Sequence, residues 1–249
     1  MASFSAALSS ELFRMIRRKK ATVLLVLSFG MVAVALLLSL VVRGGLGILG
    51  GTGAAFPTSV LGVYANTILP LFVALAVTDA FTSEFAHDTM KIVITKPVTR
   101  FRIYLAKLAS VGAFILANLL LVMVLSMVVT VAFFPRLVSF GWAVEVVAAY
   151  LLTLFPLLVL AVITAFFANV LKSSAGVFFL SVLLFLLSKA LSVVSALSYV
   201  LPTSLLDWYK LWISSVMPFG SILRTLLVMA AYFALFTALG FRRFDRRAL

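Results

Sequence analysis

Leu108-Ala-Ser-Val-Gly-Ala-Phe-Ile-Leu-Ala-Asn-Leu-Leu-Leu-Val-Met-Val-Leu-Ser-Met-Val-Val-Thr-Val-Ala-Phe-Phe-Pro135 contains no charged side chain. An α-helix rises ~1.5 Å per residue, so ~20 apolar residues cross a ~30 Å hydrocarbon layer. This stretch exceeds that length and reads as a membrane-crossing helix with room to tilt. The same criterion applied outward finds five more. The six spans fall at about 21–42, 57–79, 105–135, 146–171, 173–198 and 222–241. The expected fold is therefore an all-α membrane protein with six transmembrane helices in one transmembrane domain over residues 1–249.

The whole composition agrees with that reading. Of the 249 residues, 65% are apolar and 11% charged, and mean hydropathy is +1.27. A soluble domain carries roughly 25% charge, and this chain cannot cover a water-facing surface. Lys and Arg number 20 against 7 Asp and Glu, a net charge of +13. Cationic residues gather on the cytoplasmic side of membrane proteins, so topology explains the charge better than nucleic acid does. There is no cysteine and one histidine, which removes thiol chemistry and leaves little for a metal site.

Charge placement orients the spans. Arg14, Arg17, Arg18, Lys19, Lys20, Lys91, Lys96, Arg100, Arg102, Lys107, Lys172, Arg242, Arg243, Arg246 and Arg247 fall on one side. Arg43, Arg136, Lys189, Lys210 and Arg224 fall on or near the other. The excess places both termini in the cytoplasm. Trp142, Trp208 and Trp212 then all lie on the outer side.

Lys189 and Arg224 stand inside spans. Counted along a helix from Lys172 and from Arg242, they lie ~25 and ~27 Å from the inner interface. Two readings are open for each. The long stems can snorkel to head groups, or the cations line a substrate path or bind anionic lipid.

Around the spans, Phe4, Leu8, Leu12 and Ile16 recur every four residues beside Arg14, Arg17 and Arg18. Residues 1–20 are thus expected to form an amphipathic interfacial helix. Gly45-Leu-Gly-Ile-Leu-Gly50 matches G-x-G-x-x-G as a string. It follows a membrane helix, not a strand, and reads as an outer loop. Between Pro202 and Pro218, Leu205, Trp208 and Trp212 are spaced for an outer amphipathic helix before span six.

The connection from Phe81 to Tyr104 is the most polar stretch and holds Glu84, His87, Asp88 and Lys91. Glu84 and His87 lack a second His or Cys to complete a metal site. Ion pairing suits them better, and Asp88 with Lys91 has helical i,i+3 spacing. Pro97 ends any helix there, because the residue before proline disfavours the helical region. A short helix, Pro97, then a new helix from about Thr99 is the expected order.

Catalysis finds little support. All seven acids (Glu11, Asp79, Glu84, Asp88, Glu145, Asp207 and Asp245) map to span ends or connections. Ion-coupled carriers usually place carboxylates at mid-membrane. The sequence contains neither His-Glu-x-x-His nor a P-loop string.

Glu84, then Pro97-Val98-Thr99-Arg100, then Lys107, set in six spans, resembles the membrane subunit of an ABC transporter of the ABC-2 type. Members often show an acidic residue, a Gly-Thr pair, Pro-Val-Ser-Arg and a downstream Lys. Here Thr89 matches the Thr, Asp88 replaces the Gly and Thr99 replaces the Ser. The resemblance covers essentially the whole chain. It implies the membrane-spanning permease subunit of an ATP-driven exporter, in which two copies, or one copy and a close homologue, form the translocation path. It also implies a coupling helix between spans two and three, docked on separate ABC ATPase subunits. Glu84, His87, Asp88, Lys91, Pro97 and Arg100 would serve that coupling. ATP and Mg would be held by the partner ATPase, with no cofactor on this chain. Membrane lipids are expected partners and nucleic acid is not. The alternatives are an ATP-independent channel or membrane scaffold subunit, and an intramembrane lipid-modifying enzyme. Apolar spans favour an amphipathic or hydrophobic cargo. Gly112, Ala113 and Ala117, with Ala161, Thr164 and Ala168, suit close helix approach.

Overall fold

The computed structural model describes residues 19–46, 53–82, 99–135, 138–171, 173–194, 199–214 and 217–247. Among these residues there are eight α-helices and no strand. They are α1 (Lys19–Leu46), α2 (Phe56–Asn66), α3 (Ile68–Phe81), α4 (Arg100–Phe133), α5 (Phe140–Val170), α6 (Ser174–Leu191), α7 (Tyr209–Ile213) and α8 (Phe219–Arg247). Five are long and apolar enough to cross a membrane, and the bent pair α2–α3 makes a sixth if it is one span. The expected interfacial helix over residues 1–20 lies outside the described residues except for Lys19 and Lys20. Gly45 and Leu46 belong to the end of α1, while Gly47–Gly50 lie outside the description.

The second span is broken. α2 and α3 meet at Thr67 with a bend of 46°. Pro70 supplies the cause: it has no N–H to offer the Asn66 carbonyl four residues back, and its ring crowds that carbonyl. Side chains hold the turn before the break. Asn66 Nδ2 donates to the Gly62 carbonyl at 2.9 Å, and Thr67 Oγ1 to the Val63 carbonyl at 2.6 Å. Pro70→Ala is expected to straighten the pair to a bend below ~20°. Spin labels at Val63 and Leu71, both exposed, would report the change as a lengthened distance.

Other boundaries differ from expectation for local reasons. α5 begins at Phe140, ahead of Glu145, because the Ser139 hydroxyl accepts from the Trp142 N–H at 3.1 Å and caps the helix. α6 stops at Leu191, short of residue 198. There the Ser192 N–H bonds the Ser188 carbonyl and the Val193 N–H the Ala190 carbonyl, a tightened last turn. The outer amphipathic segment is two short pieces, a 3-10 turn at Ser204–Asp207 and then α7. Leu205, Trp208 and Tyr209 are buried, against α5 and α8.

α5 is the hub. It packs against α3, α4, α6 and α8. Half of its most apolar stretch is buried, against 6% for α6 and 11% for α8. Close approach of α4 is allowed by Gly112, where a Cβ would stand 3.1 Å from Leu158, as small residues permit in membranes. Hydroxyls fasten the interior: Ser28 to Tyr64 at 2.9 Å, and Tyr150 to the Pro57 carbonyl at 3.0 Å.

Candidate functional site

The ends of α3, α4 and α8 form a brace at one pole of the bundle. On α4, Ile103, Tyr104, Lys107 and Val111 are all buried, and their spacing of three and four puts them on one stripe. Lys107 therefore sits inside, only 1% exposed, and not in the polar connection. Its Nζ donates to the Ala80 carbonyl at 2.7 Å and lies 6.0 Å from the Phe81 ring centroid. Ala80 is in the last turn of α3, where carbonyls lack helical partners and the helix dipole favours a cation.

Aromatic rings surround that contact. Tyr104 meets Phe81, Phe241 and Phe244 with centroids 5.4, 5.9 and 5.7 Å away. Phe101 adds an edge contact to Phe241 at 5.0 Å. Arg100 Nη1, at the start of α4, donates to Asp245 on α8 through both the carboxylate (3.1 Å) and the backbone carbonyl (3.2 Å). The pair is 32% and 49% exposed, so it directs geometry more than it adds stability. Thr82 Oγ1 and Ser174 Oγ, 2.7 Å apart, join the end of α3 to the start of α6. The three helix ends are thus tied together by packing, a buried ammonium and an ion pair.

Of the expected coupling residues, Arg100 is in this brace. Glu84, His87, Asp88, Lys91 and Pro97 lie in 83–98, outside the described residues. That segment joins α3 to α4, the two helices that Lys107 ties together. Asp245, Tyr104 and the burial of Lys107 were missed by sequence reasoning. The stripe Ile103-Tyr104-Lys107-Val111 was the available sign for Lys107. Asp245 is far from Arg100 along the chain, near its other end, and carried none.

A second polar group lies at the opposite pole, beside the break between α2 and α3. Lys189 Nζ donates to Asn66 Oδ1. Asn66 Nδ2 reaches Asp207 Oδ1 at 3.4 Å, and Asp207 pairs with Lys210 at 2.8 Å. The Tyr209 hydroxyl donates to the Thr58 carbonyl at 3.3 Å. Burial first, and then the Asp207 carboxylate, push the pKa of that hydroxyl up to about 12, which keeps it protonated. Arg224 stands elsewhere, its guanidinium 4.3 Å over the Tyr199 ring, a cation–π contact. Among the described residues no three His, Cys, Asp or Glu gather to hold a metal ion.

The architecture is that of a multi-pass helical membrane protein with braced helix ends at one pole and a broken helix near the other. The model of a family described as ABC-2 family transporter protein matches residues 7–188. The chain belongs to this ABC-2 family and is a permease component of an ABC transporter. Members normally work with ABC ATPase subunits. No curated protein gives a significant match.

Proposed function

We propose that this chain is the membrane-spanning half of an ATP-driven exporter. Two copies, or one copy and a close homologue, form the path, and separate ATPase subunits supply ATP and Mg. The basic pole faces the cytoplasm of a plasma (inner) membrane with both termini there. The connection over 83–98 docks on the ATPase through Glu84, His87, Asp88 and Lys91, with Pro97 setting the entry to α4.

The observation that carries the reading is the brace. A push delivered between α3 and α4 meets helix ends already locked by Lys107, the aromatic rings and Arg100–Asp245. It would therefore move α3, α4 and α8 together instead of bending one of them. The ATPase can shift the permease between states only by making different contacts in each. Arg100 accordingly acts by fixing α4 to α8, and the docking charges lie upstream of it.

The test is co-purification with the ATPase subunit, followed by charge reversal. Glu84→Arg and Arg100→Glu should each lower permease-stimulated ATP hydrolysis and transport by about tenfold, a coupling change of ~1.4 kcal/mol. Adding Asp245→Arg should restore the Arg100→Glu variant but not the Glu84→Arg variant. Unchanged stimulation and transport in both single variants would exclude the assignment.

A further inference from the structure

The Lys189 group is a poor structural device and a good receptor. Its depth follows from the helical rise. α3 rises about 20 Å from Phe81 back to Ile68, with Asn66 just beyond the break, and Lys189 stands about four turns after Ser174. Both measures start from one level, because Thr82 and Ser174 are in contact. The two measures reach about 20 and 22 Å, inside the far third of a ~30 Å apolar layer. Charge at that depth is costly and is seldom placed there without a task. A packing contact between α2, α6 and the segment before α8 needs only apolar side chains.

The group's charges do not balance. Lys189 and Lys210 supply two ammonium groups, Asp207 one carboxylate and Asn66 a neutral amide. Among the described residues one positive charge is in surplus. The group is also open: Lys189 is exposed, and the side chains of Lys210 and Asp207 are 58% and 41% exposed. A head group can reach it without unfolding anything.

An apolar track leads away from it. Leu186, Leu183 and Phe179 precede Lys189 on α6 at helical spacing for one stripe. They are 57%, 53% and 70% exposed. A cation at the head of an exposed apolar stripe matches a molecule with an anionic head and an alkyl tail.

We infer that Lys189, Lys210, Asn66 and Asp207, with the Phe179–Leu183–Leu186 stripe, form a recognition site for an anionic amphiphile carried as cargo. Asn66 and Asp207 hold the two ammonium groups in place. Asp207 also limits affinity, so that bound cargo can leave. The assignment deepens the permease reading and rests on it.

The probe is a single-chain lysophosphatidate with a brominated acyl chain, compared with the matching lysophosphatidylcholine. The permease is held in phosphatidylcholine nanodiscs, and binding is read by quenching of tryptophan fluorescence. Wild type is expected to bind the anionic probe about tenfold tighter. Lys189→Gln and Lys210→Gln should each weaken anionic binding about five- to tenfold and leave zwitterionic binding unchanged. Asp207→Asn should tighten anionic binding. Equal binding of the two probes, or three variants without effect, overturns the site.

A second arm separates cargo from resident lipid. In the assembled complex the anionic probe should raise ATP hydrolysis about twofold or more, and Lys189→Gln should remove the rise. Selective binding with no change in hydrolysis overturns the cargo assignment. Failure to recruit any ATPase subunit overturns the permease reading instead, and the nanodisc arm still decides the site.

Discussion

Lys107→Ala is expected to destabilise the folded permease by about 2–4 kcal/mol and to abolish ATPase stimulation. The first part of that cost is the charge-assisted bond to the Ala80 carbonyl, roughly 1.5–3 kcal/mol where no water replaces the donor. The second is the space left by a long side chain that is 1% exposed, because packed surroundings relax only in part. Lys107→Met separates the two. It keeps most of the volume and loses the bond, so it should recover only the cavity part. Unfolding in mixed micelles, followed by circular dichroism, measures both variants. A loss below ~0.5 kcal/mol for the alanine variant, the range of an ordinary surface substitution, would show that the α3 terminus does not depend on this ammonium. The functional effect should exceed the effect on stability, because the same bond joins the two helices that flank the proposed docking segment.

The second large effect is expected at the crossing of α8 and α4. Gly240 lies against Tyr104, and a Cβ there would collide with the tyrosine hydroxyl. That hydroxyl is buried and has no hydrogen-bond partner among the described residues. Gly240→Ala should therefore cost about 1–3 kcal/mol from overpacking, despite the ~1 kcal/mol that alanine normally gains over glycine in a helix. Tyr104→Phe alone should be neutral or slightly stabilising, since it removes an unpaired buried polar group. Combined, the two should recover most of the loss, with a coupling energy of about 1–2 kcal/mol. Strict additivity in this double-mutant cycle would mean that the ring and the glycine do not share the space. Gly240→Val cannot be rescued this way, because a branched side chain meets the ring as well as the oxygen.

Much of the architecture was readable from one-dimensional properties. Span length and charge need only the count of apolar residues and the positions of cations, and most of the helices found lie close to the expected spans. Features set by contacts between distant segments were harder to read. Pro70 was visible in the second span, yet a proline can be absorbed in a membrane helix, as Pro156 is within α5. Only the structure distinguishes a proline that breaks a helix from one that does not. Lys107 was counted as one of the cations that mark the inner side. The buried stripe on which it falls becomes informative only once α3 is known to end beside it. Lys189 had two readings, and both turned on what lies next to it. Its neighbour Asn66 is distant along the chain, on a different helix, and has no local pattern that announces it. Asp207 and Lys210 were separable from the apolar face of their segment by spacing alone. Their convergence on the broken helix was not, since it depends on how that segment folds back against α5.

The position of the hub has a consequence for biosynthesis. α5 is the fifth of the described α-helices in chain order and the one that buries α3, α4 and α8. Chains are made from the N-terminus at about 5–20 residues per second. α3 and α4 therefore enter the bilayer several seconds before the surface that covers them exists. In that interval the faces of α3 and α4 that α5 later covers have only lipid, one another or an insertion factor as neighbours. A ribosome stalled with α4 emerged and α5 still inside it should hold a nascent chain that is inserted but not assembled, open to quality-control proteases. Release of α5 should protect it in one step. Maturation of this protein is then timed by α5, and a pause in translation after α4 has emerged but before α5 has would prolong its most vulnerable stage.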